Sequence, residues 1–138
     1  MNKTLIFWLK VVGWAILAHV ILITLSIAEV FVYSIVFNPG QDQKTYEAHA
    51  QVSAPYVSIL FGIPVFYLIT RLIFSKNGDK KSEILYGLPA IYIMMDIAML
   101  ISYEIDWIGH LWVFALSFGT KFLGTYAGVR FYKTAGMH

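Results

Sequence analysis

Three ionisable residues, Glu29, Asp96 and Lys121, stand inside long apolar stretches of this chain, where charge is costly. Charges placed this way normally face an interior or a water-filled cavity, and such groups bind protons, ions or small polar ligands. His19 and Tyr92 accompany them. His19, Ser26 and Tyr33 recur every seven residues with Glu29 beside them, and Tyr92, Asp96, Met99 and Tyr103 follow a three-four alternation, so each set shares a helical face. His110, Ser117, Lys121, Gly124 and Gly128 align in the same way. The chemistry open to Lys121 is a structural pair with Asp96, snorkelling toward a cytoplasmic interface, or a proton or ion relay. A Schiff-base role has no motif behind it. At ~1.5 Å per residue, Asp96 lies ~12 Å and Lys121 ~21 Å below the outer ends of their helices, a difference much of which a lysine side chain spans.

A second set gathers toward the outer side: Glu29, His49, Glu104, Asp106 and His110. Imidazole with carboxylate suits zinc, nickel or non-haem iron. No HExxH pair or EF-hand spacing supports a metal site, and capping, hydrogen bonding or proton exchange accounts for the same residues. Bis-histidine haem is disfavoured because His19 and His110 differ in depth by roughly 20 Å at helical rise. With no cysteine, disulfides, Cys-ligated zinc, iron–sulfur clusters and thiol redox chemistry are excluded. Phosphate-cradling loops, a GxSxG elbow and basic nucleic-acid patches are absent, and a net charge of +2 gives no case for a nucleic-acid partner.

The elements that must position these residues follow from composition. Of 138 residues, 59% are hydrophobic and 13% charged, which excludes a soluble enzyme, a disordered tail and a fibrous repeat. A span needs ~20 mostly apolar residues. Four stretches qualify, over 4–37, 53–74, 82–103 and 107–132, predicting an all-α integral membrane protein with four transmembrane helices in an antiparallel bundle. Asn38-Pro39-Gly40 ends the first. Residues 41–51 read as a short outer surface helix, Ser53 as the N-cap of the second span, and Pro55 as a first-turn proline. Pro64 frees the carbonyl near Leu60 and is expected to kink the helix. Ser26-Ile27-Ala28 resembles a cleavage site, but the apolar run continues through Val30-Phe31-Val32, so the segment reads as a span.

Basic residues set the orientation. Lys3, Lys10, Arg71, Lys76, Lys80, Lys81, Arg130 and Lys133 fall on one side, whereas the other carries Lys44 against Asp42, Glu47, Glu104 and Asp106. Both termini are therefore expected in the cytoplasm, most naturally at a bacterial inner membrane. Trp8, Trp107 and Trp112 near the span ends fit an interfacial belt. Besides the lipid bilayer, the partners suggested are a second copy or another membrane protein, through the ridges Ala54/Ser58/Gly62 or Gly124/Gly128. Tyr46 to Tyr56 is distinctive enough to be a signature, with no activity attached to it. The expected role is a non-enzymatic one, a transporter or channel component or an accessory subunit with a polar intramembrane site. The alternative is a membrane metalloprotein or enzyme using the outer cluster.

Overall fold

Local capping chemistry decides where the first two helices begin. Asn2 accepts a hydrogen bond from the Thr4 amide at 3.1 Å and starts α1 (Lys3–Val32), which a π-helical turn over Tyr33–Phe37 extends. Gly40, at φ 77°, takes the left-handed conformation that the turn after Pro39 requires. The Asp42 carboxylate then accepts from the Thr45 hydroxyl at 2.6 Å and the Thr45 amide at 2.9 Å, which starts α2 (Gln43–Phe74) and holds the Asp42 carboxyl below its usual range. A loop leads to α3 (Lys81–Ile101), with Glu83 in its first turn, and α4 (Leu111–Arg130) ends in a 3₁₀ turn over Phe131–Thr134. This computed structural model describes residues 2–102 and 108–134; Tyr103, Glu104, Asp106 and Trp107 lie outside the described residues.

The separate surface helix over 41–51 is not found. α2 runs unbroken from Gln43 to Phe74, because Asp42 caps it and Gln43 to Ala54 contain no breaker; a Gln43–Glu47 bond of 2.7 Å supports its first turns. Ser53 is therefore not an N-cap. Pro55 and Pro64 both sit inside the helix, where each removes the N–H that would reach the carbonyl four residues earlier, at Gln51 and Leu60.

Three helices, α1 with its π turn, α2 and α3, are long and apolar enough to cross a membrane. Lys121 and the interleaved serine, threonine and glycine residues keep α4 less apolar. Phe7, Val11, Ala15, Ala18 and Leu22 form the inward stripe of α1, meeting Phe66 and Ile69 of α2 and Ile84, Leu88 and Tyr92 of α3. Large apolar residues such as Ile23, Leu60, Met94 and Leu123 point outward instead. That inside-out distribution suits a hydrocarbon solvent.

α4 packs chiefly on α2. A Cβ added at Gly124 would stand 2.6 Å from the Ile63 carbonyl oxygen, and one at Gly128 would stand 2.9 Å from that of Tyr67. The GxxxG ridge is thus taken up within the chain, as is Gly62, where a Cβ would meet Thr120 Oγ1 at 2.6 Å. Gly62 and Ser58 of α2 and Gly124 and Gly128 of α4 thus line one internal seam, where glycine lets the backbones approach closely.

Candidate functional site

The glycine seam creates the space in which Lys121 is buried. Its side chain has 0% exposure, and a Cβ on Gly62 would stand 3.5 Å from Nζ. One turn earlier on α4, Ser117 accepts from Nζ at 2.7 Å; across the seam, Ser58 accepts through its hydroxyl at 2.6 Å and its carbonyl at 3.1 Å. An ammonium has three protons, and each finds an acceptor. The two serine hydroxyls lie 3.2 Å apart and complete the cage. The Tyr92 ring centroid is 5.6 Å from Nζ, within the range of a cation–π contact.

Asp96 does not pair directly with Lys121. Its Oδ1 stands 3.4 Å from His19 Nε2, and it acts on Lys121 and Tyr92 electrostatically from beyond ion-pair distance. Asp96 is one turn C-terminal of Tyr92 on α3, while the two serines hold the lysine head beside α2. His19 packs on Tyr92 with centroids 4.1 Å apart, and Phe66 meets Tyr92 edge-on at 5.0 Å. The cluster therefore takes His19 from α1, Ser58 from α2, Tyr92 and Asp96 from α3, and Ser117 and Lys121 from α4.

His19 is the least satisfied member. Neither ring nitrogen makes a hydrogen bond among the described residues, although both are buried. An unpaired buried polar group costs about 1–3 kcal/mol. Each such group in a native interior calls for an explanation, among them a catalytic role, an ordered water or an ion. A protonated imidazole and a carboxylate 3.4 Å apart form an ion pair, and Lys121 supplies a second positive charge nearby.

No family model, curated protein or solved structure matches this chain.

The outer set is drawn together only in part. Glu29 Oε1 meets His49 Nε2 at 2.8 Å and Glu29 Oε2 accepts from the Ser53 hydroxyl at 2.7 Å, which fastens α1 to α2. Tyr33, the first residue of the π turn, stacks on His49 at 3.6 Å between centroids and 3° between planes. His110 is at the N-cap of α4, and Glu104 and Asp106 lie outside the described residues. Among the described residues, no group of three His, Cys, Asp or Glu side chains is placed to hold a metal. The pair is separated from His19 by ten residues of α1, or ~15 Å at helical rise.

Ser58, Ser117 and Ser53 are the partners that residue type alone did not single out. A signal existed for two of them: Ser117 precedes Lys121 by one turn, and Ser58 precedes Gly62 by one turn, so each stands on the face that meets the lysine.

Proposed function

We propose that the chain is a small integral membrane protein in which all four helices cross the bilayer and both termini are cytoplasmic, and that His19, Asp96 and Lys121 form its intramembrane proton-binding site. The fourth crossing is supported by length and by burial of the charge that lowers the helix's hydropathy. α4 has 20 residues, or ~30 Å, enough for a hydrocarbon core, and Lys121 is turned into the bundle with every proton bonded. The orientation rests on the basic residues near Lys3, around the α2–α3 loop and after Arg130. A bacterial inner membrane suits a short chain with that charge bias.

The carrying observation is the His19–Asp96 contact of 3.4 Å, made between two helices apolar enough to span a membrane. Imidazole and carboxylate change charge on binding a proton, and with α1 and α3 crossing the bilayer that change would fall within the membrane field. The role that follows is a proton-coupled transporter, a channel component, or the proton-responsive subunit of one. The outer Glu29–His49 pair, partly exposed, is suited to exchange protons with the outer solution.

Reconstitution into vesicles containing a trapped pH dye, with a potassium diffusion potential imposed, tests this reading. Wild-type protein is expected to carry protons above the protein-free rate, and Asp96→Asn and His19→Gln to fall back toward it. Wild-type flux at the protein-free rate, or unchanged flux in both variants, refutes the proton site.

A further inference from the structure

A different feature lies at the opposite end of the bundle from Glu29 and His49. Where the start of α1 passes the end of α2, a cavity of about 320 Å³ opens between the two helices. Its rim carries Lys10 from α1 and Lys76 from the loop after α2, with Asn77 beside them. Its floor is apolar, formed by Phe7, Val11 and Trp14 on one helix and Ile73 on the other. Among the described residues, no acidic side chain lines it. Lys80 adds a third cation close by, its ammonium 4.2 Å from the centroid of Phe7.

The order of these groups along the helix axis is what selects a ligand. Lys10 and Trp14 are one turn apart on the same face of α1, so the charged rim stands ~6 Å above the aromatic floor. A ligand filling the space must present an anion to two lysines and hydrocarbon to Trp14 and Ile73. The floor continues onto Leu72, which is 54% exposed on the outward face of α2. An acyl chain can therefore leave the cavity into the surrounding bilayer without burying a polar group. Basic pockets between membrane helices on the cytoplasmic side bind anionic headgroups, and each lysine near the surface favours them by roughly fivefold.

Resting on the membrane-spanning reading above, we infer that the α1–α2 cleft is a binding site for an anionic phospholipid of the cytoplasmic leaflet, with its phosphate between Lys10 and Lys76 and its acyl chain along Trp14 and Ile73. The site differs in place and in ligand from the proton-binding cluster. It gives the bundle a lipid-dependent contact at the seam between its first two helices.

Trp14 serves as its own reporter once Trp8, Trp107 and Trp112 are replaced by Phe. The protein is reconstituted in vesicles of phosphatidylcholine and phosphatidylglycerol, with bromine on the acyl chains of one lipid or the other at equal mole fraction. Brominated phosphatidylglycerol is expected to quench Trp14 more strongly, with a preference of roughly fivefold per lysine. Lys10→Gln and Lys76→Gln are expected to erase most of that preference, Lys10→Arg and Lys76→Arg to keep it, and Lys81→Gln, outside the cleft, to leave it unchanged. Equal quenching by the two lipids overturns the site. So does a Lys81→Gln loss as large as that of Lys10→Gln, which indicates diffuse surface attraction. Loss of the preference on adding excess glycerol phosphate assigns the cleft to a soluble phosphate and overturns the lipid. Absence of quenching by either lipid puts Trp14 outside the bilayer, and then the membrane-spanning reading fails as well.

Discussion

At the scale of single residues, the question is what keeps a lysine with no exposed surface inside a helical bundle. Its stability comes from Ser58 and Ser117, whose oxygens take all three ammonium protons, while Asp96 contributes at longer range. These two sources of support respond differently to substitution. Ser117→Ala leaves a buried ammonium proton without its acceptor and is expected to cost about 1–3 kcal/mol. Lys121→Met removes the charge together with its need for acceptors, and replacement of a buried ion by an apolar side chain of similar volume is often neutral. Thermal unfolding in detergent should therefore place Lys121→Met nearer the wild type than Ser117→Ala. The opposite order would mean that Asp96, rather than the serine cage, secures the lysine. The alternation of Tyr92 and Asp96 was readable along the chain, whereas the partner of Asp96 was not. Choosing His19 over Lys121 depends on how far each side chain travels across a bundle, and one-dimensional spacing does not contain that distance.

Among the elements, α2 and α4 form the tightest pair, and glycine is the reason. Gly124 stands so close to α2 that a Cβ would lie 2.6 Å from the Ile63 carbonyl oxygen and 2.9 Å from Phe66 Cβ. A backbone oxygen cannot rotate away, so the helices must separate. Gly124→Val is expected to destabilise the protein by about 1–3 kcal/mol or more through overpacking. Gly119, on the same helix, has no heavy atom within 4 Å of its Cβ position. Gly119→Ala should be neutral, or stabilising by up to about 1 kcal/mol through helix propensity. Equal unfolding temperatures for the two variants would contradict the seam. The GxxxG pattern was visible in sequence, but the pattern is the same whether its mate is another helix of the chain or a second molecule. The start of α2 differs for another reason. Asp42 and Thr45 cap it ahead of a run with good helix propensity, and that local bonding carries the helix straight through the expected boundary at Ser53.

For the whole molecule, the asymmetry of charge is the property with the most direct test. The chain has no cysteine, so a single introduced thiol reports its own location. In intact cells a membrane-impermeant maleimide is expected to label Gln41→Cys in the α1–α2 turn. Asp79→Cys in the α2–α3 loop should react only after permeabilisation. The reverse pattern would invert the bundle, and labelling of both in intact cells would contradict a membrane crossing between them. Length and composition alone determined the helical class and the short list of charges worth inspecting, because these depend on neighbours along the chain and on the cost of placing charge among apolar residues. Only the tertiary structure decided that His19 faces Asp96, that two serines hold Lys121, that Glu29 clasps His49, and that Lys10 and Lys76 share a cleft. Apart from the bond between Ser117 and Lys121, one turn apart on α4, each of those contacts joins residues at least 20 positions apart, and their meeting is set by how the helices pack, which glycine governs at the α2–α4 seam.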